Sequence, residues 1–407
     1  MVIFGKEDIS YLFSPQAIRD RARDILAYTE SGKGVFTVDR DAMPELAKYT
    51  AAVIRGNYPH LNVPYHSRWR HFIRPNYDRV AKLKDRIRNF SAQERVYVLF
   101  DLVIVSVLLD AGAGPDWKYR DPFTNDLVGR SEGLGLASFD MFTDGLFSGN
   151  KDLPLSAHAE KLERLTLEDL QRGFQISPTN PMVGLEGRLQ VLKNLGKHLK
   201  TLPDAKASPR PGHLYDRMKT HAESHELGAD KMLAVLLDAL NPIWPSRLEV
   251  HGRALGDVWH HTGLGAQKTP QTLVPFHKLT QWLCFSLLDP IEEDGLKAVN
   301  VDALTALAEY RNGGLFLDAK VLIPKDGQFF SKSFTVDSHT VIEWRALTIA
   351  LVDELAPLIR AELGVGEDFS VPKILEGGTW WAGRKIAYEL RANGEPPINV
   401  ERDGTVF

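Results

Sequence analysis

The sequence predicts a mainly α, multi-helix globular protein with a minor β-hairpin. Apolar residues recur at helical spacing through most of the 407 residues, between capping residues and closing glycines or prolines. No strand-helix alternation and no glycine-rich dinucleotide fingerprint argues for a parallel sheet. Extended patterns are short, and the strongest hairpin signal is Asp326-Gly327, flanked by alternating residues over 320–336.

Composition narrows the classes. With 43% hydrophobic and 25% charged residues, the chain can bury a sizeable core. A net charge of -4 supplies no basic field for nucleic acid or an anionic membrane, so neither is an expected partner. The most apolar run, 96–109, contains Asp101 and falls short of the roughly 20 residues a membrane span needs, so it reads as a core helix. The first residues lack an apolar run followed by a cleavage site, and no secretory signal is expected. The single cysteine, Cys284, lies between Leu283 and Phe285; a buried core thiol in a reducing, cytoplasmic setting is expected. Phosphate-loop, EF-hand, serine-hydrolase, kinase and zinc-protease signatures are absent, and no cofactor is expected.

The elements follow in order. Ser14-Pro15 opens an amphipathic helix to residue 28, with Arg19, Arg21 and Arg23 largely outward, stopped at Gly32 and Gly34. A short extended stretch at 35–38 precedes a helix started by Asp39 or Asp41 and running to Gly56. Residues 57–75 hold three prolines yet concentrate His60, His66, Arg68, Trp69, Arg70, His71 and Arg74. Such a segment can grip a phosphate or an acidic sugar through guanidinium forks, or pack as a basic loop on an acidic neighbour. Helices are expected over 77–90 and 92–111, divided at Ser91 with Glu94 completing a capping box. Residues 112–135 read as an ordered irregular loop. Asp140 and Asp144 then fall four apart, on one face if helical, where paired carboxylates can bind a hydroxylated ring or a cation.

Helical spacing returns over 166–174, 183–199, 213–227 and 229–240. Between them 203–211 is the best linker candidate, so the chain reads as one unit, 1–407, with possible sub-domains 1–202 and 212–407. His221 and His225, four apart, invite a zinc reading, but no clear third ligand is near. His260-His261 offer ligand or acid-base chemistry. A long helix capped by Asp337 or Ser338 carries Glu343, Trp344 and Arg345. A last helical region, 372–391, broken at Gly377-Gly378, carries Trp380, Trp381, Arg384 and Lys385, before an extended tail.

The stretch 276–318 concentrates the chemistry. A nearly all-apolar helix, 277–288, leaves Lys278, Gln281 and Ser286 as its polar exceptions, with a break at Asp289-Pro290. A second helix over 301–310, capped by Asp302, would end in Glu309-Tyr310-Arg311 and Asn312-Gly313-Gly314. A carboxylate at the edge of a core, beside an arginine and a glycine turn, is open to tuning by burial and charge; the alternative is an ordinary ion pair at a helix end.

Several segments carry a resemblance. YPHLNVPYHSRWRHF, ASFDMFTDGLFS, LTALAEYRNGGLF, SHTVIEWRALT and the GGTWWAGRKIAYELRANGEPPINVERDGTVF ending look like the uracil-catabolism family of fungi and bacteria, across essentially the whole chain. That likeness implies pyrimidine degradation through a ribosylated, ring-opened intermediate of the ribosylurea type. The C-terminal third also resembles, more distantly, the queuosine-salvage nucleosidases, all-α proteins related to helix-hairpin-helix DNA glycosylases that cleave an N-glycosidic bond. Lys278 and Gln281 match their Lys-x-x-Gln, Glu309-Tyr310-Arg311 replaces an Asp-Tyr-Arg, and Glu343 with Arg345 matches a Glu-x-Arg. Ser286 stands where that family carries an aspartate.

The resemblance implies a small ribosylated substrate, with Glu309 as the catalytic carboxylate. Tyr310, Arg311, Lys278, Gln281, Glu343, Arg345, His66, Arg68, Trp69, Arg70, His71, Asp140, Asp144 and Arg384 are the candidate substrate-binding residues. Breaking an N-glycosidic bond passes through an oxocarbenium-like sugar, so a carboxylate beneath the anomeric carbon and a base for water are wanted. A pocket in front of Glu309, walled by 66–71 and 139–147, is expected. Two other readings stay open: a metal-dependent amide or ureide hydrolase built on His66, His71, His260 and His261, and a non-catalytic binder or scaffold.

Overall fold

Local caps begin the helices much as the sequence suggests. In this computed structural model, which describes residues 5–244 and 248–401, Ser14 accepts from the Ala17 N–H to start Pro15–Glu30. Ser91 likewise caps Ala92–Leu108 through the Glu94 N–H, and Ser338 caps His339–Leu363 through the Val341 N–H. The protein is mainly α, with strands of two or three residues. Two compact units share the chain, and each is discontinuous. The first holds the described residues up to His66, then Leu248–Gln281, then the described residues from Asn300. The second holds the described residues of Ser67–Arg247, with Trp282–Val299. This division does not follow the 203–211 loop, because the chain returns twice to its first unit.

In the first unit, Pro15–Glu30 and Met43–Asn57 pack on His339–Leu363, and Tyr310–Asp318 packs on Trp380–Leu390. Phe36–Val38 pairs antiparallel with Leu322–Pro324. The expected 320–336 hairpin is therefore absent. Its first strand finds a partner far away in sequence, while Asp326 accepts from the Gln328 N–H and Phe329–Ser331 coils into a 3-10 turn. Ser333–Phe334 pairs instead with Asn399–Val400, and residues 402–407 of the expected tail lie outside the described chain.

The second unit is built on Ala92–Leu108, buried all round from Val96. It packs on Arg130–Thr143 and on the Pro211–His213 turn. Asp101, buried in this helix, accepts from Arg210 Nε at 2.6 Å and from the Ala157 and Gly212 N–H groups. Three donors satisfy a carboxylate that would otherwise be costly to bury. The loop expected at 112–135 contains a hairpin, Lys118–Arg120 with Leu127–Gly129. The helix expected over 213–227 stops at Lys219, and Ser224 and His225 take positive φ, so His221 and His225 do not share a helical face. No described helix is long and apolar enough to cross a membrane.

Two corrections bear on the site. The helix Lys278–Glu293 runs through Pro290 rather than breaking at 289–290. The proline removes a main-chain donor for the carbonyl one turn earlier, that of Ser286. That carbonyl accepts the Trp69 indole N–H at 2.8 Å, so the helix continues without a stranded acceptor. Conversely, the helix expected over 301–310 is a single 3-10 turn, Val301–Ala303, followed by irregular chain. Arg19, read as outward, binds the carbonyls of Asp302, Ala303 and Leu304, and Gln281 accepts the Thr305 N–H at 2.9 Å. These contacts take the groups an α-helix would have needed.

Candidate active site

Glu309 begins a helix instead of ending one. It is the N-cap of Tyr310–Asp318, accepting from the Arg311 N–H at 2.8 Å with one oxygen and from the Asn312 N–H at 2.5 Å with the other. The side chain is half-buried, and the positive end of the helix favours its charge. Two main-chain donors fix its rotamer. Each oxygen keeps lone-pair capacity beyond these bonds.

The first turn of this helix ties it to a second acidic group. Buried Asn312 donates to the Leu307 carbonyl and accepts from Thr379 Oγ1 at 2.8 Å. Thr379 closes the π-helical turn Leu375–Thr379, a wider turn that often marks functional sites. The break expected at Gly377-Gly378 is this turn, and both glycines are close-packed: a Cβ would lie 3.0 Å from Val63 at the first and 2.9 Å from Thr50 at the second. Glu376 in the same turn bonds His66 Nδ1 at 2.8 Å, with both side chains about nine-tenths buried. The Tyr58 hydroxyl donates to the other Glu376 oxygen at 3.4 Å, and Trp380 packs 6.2 Å from the His66 ring. Glu376 escaped sequence reading because its partner lies 310 residues away.

The other candidates of the first unit are largely framework. Arg345 forks onto Asp257 with two 2.8 Å bonds, and Asp257 also accepts from Trp259 Nε1 and from the Lys278 N–H. Burial alone would raise the Asp257 carboxyl, but the Arg345 guanidinium holds it well below the usual range. Gln281 is sealed onto Thr305. Glu343 binds Thr29 and the Val35 N–H, filling space that a Cβ on Gly34 would enter at 2.3 Å. The Tyr310 ring lies 6.2 Å from that of Trp344 and tilted by 51° to it, and Arg311 donates to the Gly394 carbonyl at 2.8 Å. Arg384 lies over Trp380 and Trp381, beside a groove of about 550 Å³ lined also by Lys385 and Tyr388.

Arg68, Trp69, Arg70, His71, Asp140 and Asp144 belong to the second unit. Arg68 is fully buried, bonded to Ser106, Asp110, Ser131 and His71, so it is an interior ion pair and not an open phosphate fork. Asp140 pairs with Arg79 and accepts from the Tyr119 hydroxyl, whereas Asp144 is exposed just past the helix end. The two carboxylates do not act together. Trp69 and Arg70 line a cleft of about 430 Å³. Ser286 is wholly buried and accepts from the Arg68 N–H at 2.9 Å. Of the four proposed metal ligands, His71 stands in the second unit and the other three in the first. Among the described residues, no three His, Cys, Asp or Glu side chains converge to hold a metal ion.

Comparison with known proteins places these observations in a family. The family described as a protein of unknown function (DUF1688) matches residues 11–407. Protein urg3 of Schizosaccharomyces pombe (strain 972 / ATCC 24843) is 38% identical over 414 residues, covering 98% of this chain and 99% of its own. Uracil catabolism protein 4 of Lachancea kluyveri is 35% identical over 435 residues, with the same coverage of each. On a match that spans nearly every residue, the chain belongs to the DUF1688 family.

Proposed function

We propose that this protein acts in uracil catabolism as an N-ribosyl hydrolase, cleaving the N-glycosidic bond of a ribosylurea-like intermediate, with the free and 5-phosphorylated forms distinguished by the assay below. The pathway follows the name of the Lachancea kluyveri relative. The observation that carries the reaction is the fixed Glu309 carboxylate at a helix N-terminus, linked through Asn312 and Thr379 to the Glu376–His66 pair.

A carboxylate held by main-chain donors needs no reorganisation when positive charge develops on the sugar. Glu309 stabilises the oxocarbenium-like carbon and accepts a proton from the attacking water. The water oxygen bonds to the anomeric carbon, the carbon–nitrogen bond breaks, and the leaving nitrogen takes a proton to depart as urea. The His66–Glu376 pair is suited to supplying that proton, with Glu376 orienting the imidazole. Tyr310, Arg311 and Arg384 are the substrate-binding candidates of this unit. Purified protein incubated with synthetic ribosylurea and with its 5-phosphate should release urea and sugar from one of them. No release from either removes the hydrolase reading.

A second reading, a binder without turnover, is favoured by Ser286, whose hydroxyl is sealed against the Arg68 N–H where the salvage nucleosidases carry a carboxylate. Saturable ribosylurea binding with no product would select it.

A further inference from the structure

We propose that the cleft of the second unit is a binding site for a neutral ureide or imide edge, an N–H adjacent to a C=O, received between Asp289 and Arg70. The cleft, about 430 Å³, suits a small monocyclic ligand. Its construction starts at Ser286. The Arg68 N–H bonds the Ser286 hydroxyl and the Trp69 indole bonds the Ser286 carbonyl, which bolts the Arg68–Phe72 turn to the helix Lys278–Glu293. Asp289 follows three residues later on the same helical face, and Glu293 four beyond that. The bolted turn thereby presents Arg70 to Asp289, with Trp69 beside them.

These two charged groups face a common space without joining. Arg70 Nε is buried with no hydrogen-bond partner. Asp289, partly buried, makes no hydrogen bond or ion pair among the described residues, although it feels the charge of Arg70. Burial raises its carboxyl above the ordinary value, against the opposing pull of Arg70 and Lys84. A guanidinium and a carboxyl that attract each other across a gap and leave it open form a donor and an acceptor set side by side. An N–H of the ligand donates to Asp289, and the neighbouring carbonyl accepts from Arg70.

The charge balance selects the class. Arg70 and Lys84 face Asp289, Glu292 and Glu293, and Lys84 is already paired with Glu293. With Lys84 so paired, the Asp289 carboxyl disfavours phosphates and carboxylates, and the Arg70 guanidinium disfavours simple cations. A neutral ligand remains. This site is separate from Glu309 and does not depend on the hydrolase reading.

Uracil is a rigid, soluble probe of this edge. Calorimetric titration of the full chain should give saturable binding, and 1,3-dimethyluracil, which lacks both N–H groups, should bind at least about tenfold more weakly, the scale of one charge-assisted hydrogen bond. Asp289→Asn and Arg70→Met should each weaken uracil by about tenfold or more. Absent uracil binding, equal affinity for the two pyrimidines, or unchanged affinity in both variants overturns the site. The comparison of pyrimidines uses the unaltered protein, so it decides even if a variant misfolds. Neither measurement requires turnover, which keeps its failure distinct from that of the hydrolase.

Discussion

The Trp69 indole N–H donates to the Ser286 carbonyl at 2.8 Å, the acceptor that Pro290 strips of its main-chain donor. A helix defect on one segment and an aromatic side chain on another therefore satisfy each other. Without Trp69 a buried carbonyl would lack its partner; without Pro290 the indole would compete with a helical N–H.

Pro290→Ala tests that coupling. In an ordinary helix interior the replacement should stabilise by about 3 kcal/mol. Here the restored N–H displaces the Trp69 bond, so the gain should be clearly smaller, with a shift in tryptophan fluorescence. Urea unfolding measures the first effect. Stabilisation by the full amount, with unchanged fluorescence, would show that the two groups act independently.

Glu309→Gln separates chemistry from capping. The amide oxygen still accepts one main-chain N–H, so stability should drop by no more than about 1 kcal/mol. Turnover of the ribosylurea substrate should fall at least ~100-fold, the usual scale for a lost general base. A near-normal kcat in a folded variant would take Glu309 out of the mechanism.

Much of the helical architecture is legible because its determinants are local. Ser14, Ser91 and Ser338 cap helices whose apolar faces the spacing predicts. Several misreadings come from distant partners, whereas the short helix ending at Lys219 and the 118–129 hairpin have local causes. Residues 301–310 carry helical spacing, yet Arg19 claims three of their carbonyls. Asp326-Gly327 has turn chemistry, but the strand before it pairs with Phe36–Val38. Glu309 was singled out by its neighbours, while its role as an N-cap depended on the helix starting after it. Glu376 and Asp257 gave no local signal, since His66 and Arg345 supply their meaning.

Arg345→Met leaves Asp257 buried at 8% exposure with its main charge partner gone. Breaking a buried pair from one side costs about 3–5 kcal/mol. The double variant Asp257→Leu with Arg345→Met should recover part of that loss, because no charge is then left buried. Chemical unfolding of the two single variants and the double variant checks it; strictly additive losses would mean that the pair is not coupled.

Acid should weaken the fold through buried histidines before most carboxylates titrate. Burial, with His339 and His260 nearby, pushes His261 from 6.5 down to about 4, and its ring packs against Tyr28 and His339. In the second unit burial, with Lys206 and Arg210, pushes His213 down to about 4 as well. The unfolded chain binds these protons near pH 6.5 and the folded chain does not, so the unfolded state holds more protons in between. Stability is thus fully present above about 6.5 and is lost as the pH falls toward about 4. Urea midpoints across that window should decline with acid in the natural protein. They should decline less in a His213→Gln, His261→Gln double variant, where nothing remains at these positions to protonate; an identical slope would assign the acid sensitivity elsewhere.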